Sequence, residues 1–136
     1  MINKVERLTS IGKFRNYNAA GQVNFHKLTL IYGDNGGGKT TLTSVFRSLT
    51  TNNPEIVRSR ISTNHTTIQA AQITQTGTPN IFHTFGAAGW TTPFPDIEIF
   101  DIHFVNDNIY SFDTVVLHVQ KLPVICQDAC TKTGAR

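Results

Sequence analysis

The spacing of apolar residues predicts the first elements of the chain. Apolar side chains recur every third position from Val5 to Phe14, which fits either a helix or an irregular strand. Gly12 inside this run makes the helix less favourable. Further along, polar and apolar residues alternate around Val23–Phe25, and Leu28–Tyr32 is almost wholly apolar. The pattern therefore predicts a short strand at Val23–Phe25 and a strand covered on both faces at Leu28–Tyr32.

The next segment has the pattern of an amphipathic helix. Apolar residues at i, i+3, i+4 and i+7 form one buried face made of Leu42, Val45, Phe46 and Leu49. The helix is predicted to end between Thr50 and Asn53, because Pro54 disfavours helical geometry in the residue before it. A short second helix is predicted within Pro54–Arg60.

Residues 62–95 are rich in Thr, Gln, Asn and Gly and predict strands rather than helices. Strand patterns at Thr66–Thr74 and Ile81–Phe85 lie on either side of a turn signal at Thr76–Pro79, which predicts an antiparallel ribbon. A further strand is predicted at Ile97–Val105. Together these elements predict an α/β fold, with a mixed sheet, one main helix packed on it and an antiparallel ribbon at its side.

The composition fits one soluble globular domain. The 136 residues are 39% hydrophobic and 15% charged, which disfavours disorder and coiled coil. No apolar run approaches the roughly 18 to 20 residues of a membrane helix, and no apolar segment of a secretory signal follows the first residues. We therefore expect a cytoplasmic protein with no membrane partner. The net charge of +3 is too small and too scattered to predict nucleic-acid binding by itself.

Cysteine and histidine residues show no metal-binding pattern. Cys126 and Cys130 lie close together near the carboxyl terminus without a His pair at ligand spacing, so we expect two reduced thiols. The histidines are scattered and are expected to be surface or partly buried side chains.

A glycine-rich motif lies between the predicted buried strand and the main helix. The pattern G-x-x-x-x-G-K-S/T of a phosphate-binding P-loop is met by Gly33, Asp34, Asn35, Gly36, Gly37, Gly38, Lys39 and Thr40. The glycines let successive backbone N–H groups converge on an anion at the helix N-terminus. We expect Lys39 to reach the β- and γ-phosphates, the Thr40 hydroxyl to bind Mg²⁺, and Thr41 to contact the α-phosphate. The alternative is a glycine-rich turn that only caps the helix.

Two segments resemble known ATPase families. The run Phe14-Arg15-Asn16-Tyr17, followed by the glycine-rich motif, is similar to the amino-terminal lobe of the SMC/RecF class of ABC-type ATPases. In that class an F-R-N-Y/F turn precedes a G-x-N-G-x-G-K-S/T loop. The later segment Ile99–Ile109 resembles an F-N-x-x-F-V-x-x-N segment of bacterial AAA-domain proteins related to the ATPase part of anticodon nucleases.

This resemblance implies a P-loop NTPase half-domain that binds ATP, or GTP, with Mg²⁺. In the class a second lobe, encoded far downstream of a coiled-coil insertion, completes the site. The expected partner is therefore a carboxy-terminal lobe or a second protomer, and nucleic acid is a partner by resemblance alone. Arg15 is expected either to contact the phosphates or to be a solvated surface residue.

The elements that the class uses for hydrolysis are missing from this sequence. It contains neither a Leu-Ser-Gly-Gly signature nor four apolar residues followed by Asp-Glu. The nearest candidate for the Mg²⁺-binding acid is Asp101. The alternative interpretation of Asp101 is a carboxylate that faces solvent at the end of a strand. Trp90 has two interpretations as well, since it is expected either to anchor a loop or to stack on an adenine.

The resemblance predicts an ATP-binding lobe over residues 1–112 and a divergent tail over residues 113–136. The tail is expected to be a truncated or frame-shifted product, and the alternative is a genuine final strand with a loose terminus. Two other functions stay open. One is a complete small kinase or GTPase that uses Asp101 for Mg²⁺, and the other is a non-catalytic interaction fragment that keeps the loop without binding nucleotide.

Overall fold

The computed structural model describes residues 1–21, 24–62 and 68–109. Contacts divide the chain into two units, Met1–Asp101 and Ile102–Arg136. Among the described residues, the first unit contains the strands β1 Ile2–Ile11, β2 Phe14–Asn18, β3 Ala70–Gln75, β4 Ile81–Gly86 and β5 Gly89–Trp90, and the helices α1 Lys39–Thr51 and α2 Glu55–Arg58. The described part of the second unit is helix α3, Ile102–Ile109.

The five strands form one sheet in the order β2-β1-β3-β4-β5, and every neighbouring pair is antiparallel. The register of β1 on β3 shifts between Ile2 and Lys4 and again between Val5 and Arg7. Each irregularity adds a residue to the strand, which changes the spacing of core-facing side chains from two to three. The three-residue spacing of the buried Val5 and Leu8 is therefore that of an irregular strand and not of a helix.

The predicted ribbon in the middle of the chain is confirmed as the hairpin of β3 and β4. Ala71 lies opposite Phe85, and the predicted turn at Thr76–Pro79 lies between the two strands. The hairpin is not at the side of the sheet, because β3 also pairs with β1. The first residues of the predicted ribbon, 66 and 67, lie outside the described residues.

The hydrophobic core combines the buried face of α1 with residues of the sheet. Its members are Ile2, Val5, Leu8, Ile11, Val45, Phe46, Leu49, Val57, Ala71, Ile73, Phe85 and Phe94, with Leu42 packed against them. The predicted helix face is thus confirmed. Helix α1 ends at Thr51, and its cap Asn52 takes a left-handed conformation with φ +51°. The predicted short second helix is confirmed as α2.

The structure contradicts the predicted strand at Leu28–Tyr32, which has no regular secondary structure. Leu30 and Tyr32 are 93% and 92% exposed. A central strand needs partner strands at its edges and packed elements on its faces, and in the described part of the chain the strands pair only with one another. The apolar composition of the segment therefore does not make it a strand, and its large side chains stay exposed. The sheet is antiparallel and not mixed.

The predicted strand at Ile97–Val105 is also wrong. Residues 97–100 are irregular, and α3 begins at Ile102. Short apolar runs fit either a strand or a helix, and the apolar Ile102, Val105 and Ile109 recur at helical spacing. Neither α3 nor any other helix in the described ranges is both long and apolar enough to cross a bilayer.

Some predictions lie partly or wholly outside the described residues. Of the predicted strand Val23–Phe25, Val23 is outside, whereas Phe25 is described and belongs to no strand. The Phe25 N–H nevertheless donates to the Asn3 carbonyl at 2.6 Å. The end of the predicted lobe at residue 112, the tail 113–136 and both cysteines are also outside.

Candidate phosphate-binding site

The glycine-rich motif forms a tight loop that leads directly into α1. The Gly37 N–H donates to the Asp34 carbonyl at 3.1 Å and closes a turn, and the Leu42 N–H donates to the Gly38 carbonyl at 2.9 Å and begins the helix. The N–H groups of the first helical turn therefore have no partner inside the helix. Gly36 at φ +83° and Gly38 at φ +93° adopt conformations that favour glycine. The motif thus presents backbone donors together with the positive end of the helix dipole.

Gly38 packs against the ring of Phe14 at the beginning of β2. A methyl group added at Gly38 would lie 3.0 Å from Cζ of Phe14, so both the space and the backbone conformation require glycine there. At Gly36 an added methyl group would meet nothing within 4 Å. The loop is therefore packed against the sheet at Gly38 and open at Gly36.

Lys39 lies across the beginning of the loop. Its ammonium group donates to the carbonyl oxygens of Gly33 at 2.5 Å and Asp34 at 2.8 Å. The loop therefore holds a positive charge at the carbonyl oxygens of its first two residues. Charged and backbone N–H donors in one cluster are the chemistry that recognises phosphate oxygens.

The two threonines after Lys39 differ in exposure. Thr40 is exposed, which is compatible with a hydroxyl that binds Mg²⁺. Thr41 is buried against Gly12, where an added methyl group would lie 2.7 Å from the Thr41 hydroxyl oxygen. The contact of Thr41 with an α-phosphate stays a prediction, and in this packing its backbone N–H is the group that can make it.

Arg15 is exposed and lies beside Phe14 in β2. Successive side chains of a strand point to opposite faces, so Arg15 faces away from the side on which Phe14 contacts Gly38. The structure thus brings Gly33–Thr41 together and leaves Arg15 on the opposite face of the strand. A contact between Arg15 and phosphates stays a prediction.

Asp101 forms an ion pair away from the loop. Its Oδ1 lies 2.7 Å from Nη2 of Arg47, and the Asp101 side chain is largely buried. Arg47 lies about two turns, or roughly 10 Å, beyond Thr40 along α1. The interpretation of Asp101 as a strand-end carboxylate facing solvent is wrong, because the side chain is paired and the residues before it form no strand.

Trp90 anchors β5 to α1. The indole Nε1–H donates to the Ser48 hydroxyl at 2.9 Å, and the Ser48 hydroxyl donates to the Asn53 carbonyl at 2.6 Å. The indole ring also packs on Phe85 with a centroid distance of 5.2 Å. These contacts confirm the interpretation of Trp90 as a structural anchor.

Within the described ranges, no group of three or more His, Cys, Asp or Glu side chains is arranged to hold a metal ion. The buried His83 uses its two ring nitrogens for contacts with the Thr92 carbonyl at 3.0 Å and Gln75 Oε1 at 2.9 Å. His83 therefore contributes to the packing between β4 and its neighbours through both ring nitrogens.

Comparison with known proteins decides the family. A family model described as an AAA domain matches residues 10–125, which is more than half of the chain. The chain belongs to the AAA domain family. This membership indicates a nucleotide-binding, ATPase-like domain, and the matched region includes the whole glycine-rich loop. No curated protein and no solved structure gives a significant match.

The turn between β1 and β2 of this AAA domain is not predicted by the sequence pattern. Gly12, at φ +51°, and Lys13 form a two-residue turn, since Ile11 pairs with Phe14. A methyl group added at Gly38 would lie 3.6 Å from Cβ of Lys13. A glycine in a two-residue connection between strands is a hairpin signal. That signal is local, however, and does not show that the turn lies against the loop.

Proposed function

We propose that this AAA domain binds Mg·ATP through Gly33–Thr41 as the amino-terminal half of a P-loop ATPase site. The observation that carries the proposal is the position of Lys39, whose ammonium group lies on a glycine loop at the start of α1. The backbone N–H groups of the loop and of the first helical turn bind phosphate oxygens, and Lys39 contacts the β- and γ-phosphates. Thr40 is the Mg²⁺ ligand, and Mg²⁺ neutralises phosphate charge when it is bound.

The packing at Gly38 supports this fit between loop and phosphate. Gly38 packs against the ring of Phe14 and has a positive φ, so a side chain at that position would strain the backbone and push against the ring. The open side at Gly36 leaves its backbone accessible to a ligand. A turn that only caps the helix needs neither the close approach at Gly38 nor a lysine across the loop.

The apolar segment before the loop supports the second half of the proposal, a half-site. Leu28–Tyr32 is exposed, and a cavity of about 350 Å³ lies between this segment and the sheet. Its walls are mainly apolar and include Leu8, Phe14, Phe25, Leu30, Tyr32 and Leu42. A carboxy-terminal lobe, or a second protomer, that pairs with Leu28–Tyr32 would cover this surface, because an apolar segment gains stability when it is removed from water.

The position of Asp101 disfavours a complete small kinase or GTPase. That alternative needs a carboxylate beside the Mg²⁺ on Thr40, and Asp101 is paired with Arg47 about 10 Å along the helix. The half-site therefore obtains its Mg²⁺-binding acid and its water-activating base from the completing lobe. On its own the chain binds Mg·ATP and turns it over no faster than about 10⁻³ s⁻¹, far below ordinary enzyme rates.

Nucleotide titration tests the binding proposal. Lys39→Ala is expected to weaken Mg·ATP binding at least about thirtyfold, which corresponds to ~2 kcal/mol. The matched control is Lys27→Ala, which removes an exposed lysine outside the loop and leaves the affinity unchanged. Equal affinity of Lys39→Ala and the parent, with far-UV circular dichroism unchanged in both, refutes binding through the loop, and the absence of binding by the parent supports the non-catalytic interaction fragment. The same titration with GTP measures the base preference.

Steady-state turnover tests the half-site. The purified chain is expected to hydrolyse ATP slowly, and addition of a carboxy-terminal lobe is expected to raise the rate, because that lobe supplies the acid and the base. Rapid turnover by the chain alone contradicts the half-site and supports a complete enzyme.

A further inference from the structure

We propose that Lys13 is a second cation that contacts the phosphates of the nucleotide held by Gly33–Thr41. This inference rests on the proposed function, since it assigns a further binding residue to the same site. Lys13 belongs to the turn between β1 and β2 and lies outside the glycine-rich motif. Its role follows from where that turn is placed.

The turn carries Lys13 to the edge of the loop. Cβ of Lys13 lies 3.6 Å from the point where a methyl group of Gly38 would be, so the lysine stem begins in contact with the residue that precedes α1. From Cβ, the flexible stem of a lysine carries its ammonium group about 5 Å further. This reach covers the space in front of Gly38 and the first helical turn, where phosphate oxygens bind to the backbone N–H groups.

The backbone of the turn is fixed on two sides. The Gly12 N–H donates to the Arg60 carbonyl at 2.7 Å, and Gly12 packs against Thr41 in the first turn of α1. On the other side the ring of Phe14 packs on Gly38. Lys13 lies between these two anchored residues. Binding through Lys13 therefore adds no cost for ordering the backbone of the turn, and only the side chain loses conformational entropy.

The ammonium group of Lys13 is available for a ligand. The residue is exposed, and its side chain has no hydrogen bond or ion pair within the residues that the structure describes. Three other cations of the first unit pair with carboxylates, namely Lys4 with Glu6, Arg47 with Asp101 and Arg58 with Glu55. Lys39 is held by two carbonyl oxygens of the loop. Lys13 is therefore a cation beside the loop that gives up no partner among the described residues when it binds a ligand.

The two lysines are expected to contact the phosphates from different elements of the fold. Lys39 approaches the phosphates from within α1, and Lys13 approaches them from the hairpin turn. Both are point charges that contact oxygens without a bidentate geometry. The contact of Lys13 depends on phosphate charge and not on the base, so it is expected to be the same for ATP, GTP and inorganic tripolyphosphate.

Affinity measurements on three lysine variants test this inference. Lys13→Ala is expected to weaken binding of Mg·ATP and of tripolyphosphate about tenfold, which is the size of one charge-assisted contact. Lys13→Arg keeps the charge and is expected to bind within about threefold of the parent. Lys27→Ala removes an exposed lysine elsewhere and is expected to bind like the parent. If Lys13→Ala unfolds, the affinities are measured with Lys13→Gln, which keeps most of the stem without the charge and is expected to show the same tenfold loss.

The outcomes separate the two proposals. Parent-like binding by Lys13→Ala, while Lys39→Ala is weakened, overturns the role of Lys13 and leaves the P-loop intact. Equal losses in Lys13→Ala and Lys27→Ala also overturn it, because they show a general effect of charge. Parent-like binding by Lys39→Ala refutes the proposed function itself. It also refutes the role of Lys13, because that role depends on phosphate binding by the loop.

Discussion

Gly12 in the hairpin turn lies directly against Thr41 in the first turn of α1. A methyl group added at Gly12 would be 2.7 Å from the Thr41 hydroxyl oxygen and 2.8 Å from its methyl carbon. Both of those threonine atoms belong to a buried side chain that cannot move outward freely. The absence of a side chain at Gly12 is therefore what allows the sheet to contact the helix beside the loop.

Substitution of Gly12 by alanine is expected to destabilise the protein by at least about 2 kcal/mol, because a left-handed backbone conformation and a steric overlap add together. Gly21→Ala is the matched control. Gly21 also has a positive φ, +75°, but an added methyl group meets nothing within 4 Å, so about 1 kcal/mol is expected. Chemical denaturation measures both values. Equal losses in the two variants would show that the contact with Thr41 relaxes without cost.

The hydrogen bond from Trp90 to Ser48 is expected to stabilise the domain by about 1 kcal/mol. A double-mutant cycle with Trp90→Phe and Ser48→Ala isolates this bond, since the two side chains are in direct contact. The coupling energy is measured by denaturation. Because the Trp90 indole is held by Ser48 and Phe85, Trp90→Phe is also expected to leave the affinity for ATP unchanged, and a large loss of affinity would contradict a purely structural role.

Asp101→Asn is expected to reduce stability by about 1 to 2 kcal/mol, since it weakens a charge-assisted hydrogen bond with Arg47. The expected effect on Mg²⁺-dependent binding of ATP is none, because Asp101 is paired with Arg47, a residue about two helical turns beyond Thr40 in α1. Arg47→Gln provides the comparison, as it breaks the same pair from the other side. If Asp101→Asn alone abolished the effect of Mg²⁺, Asp101 would be a metal ligand and the chain a complete enzyme.

Truncation to alanine is expected to lower the free energy of unfolding strongly at Leu8 and hardly at all at Leu30. Leu8→Ala removes a side chain that is 1% exposed and should cost about 2 to 5 kcal/mol. Leu30→Ala removes one that is 93% exposed, so a change below about 0.5 kcal/mol is expected. Thermal or chemical denaturation measures both. A large loss in Leu30→Ala would mean that Leu28–Tyr32 packs as a strand in the chain alone.

Local signals in the sequence predicted the elements around the loop. The buried face of α1, from Leu42 to Leu49, was predictable because four apolar residues at helical spacing have one common side. The end of α1 was predictable because Pro54 disfavours helical geometry in the residue before it. The glycine-rich motif was recognisable because phosphate binding requires those residue types in consecutive positions.

The remaining features depend on partners that no local pattern specifies. Leu28–Tyr32 has the composition of a buried strand, but burial is a property of its neighbours, and the described strands pair elsewhere. The spacing of Val5 and Leu8 became interpretable only when the irregular pairing with β3 was known. Lys13 was overlooked because its proximity to Gly38 is created by the hairpin and not by the sequence around either residue.

The order of the strands also bears on how the domain assembles. The β1–β2 and β3–β4 pairs are hairpins between chain neighbours, and such hairpins form within microseconds. The pairing of β1 with β3 is different, because residues 12–69, with the glycine-rich loop and α1, lie between the two strands. Closing so long a segment carries an entropic cost that only the completed core offsets. We therefore expect the union of the two hairpins to limit the folding rate, so that the glycine-rich loop becomes ordered only after β1 and β3 have paired.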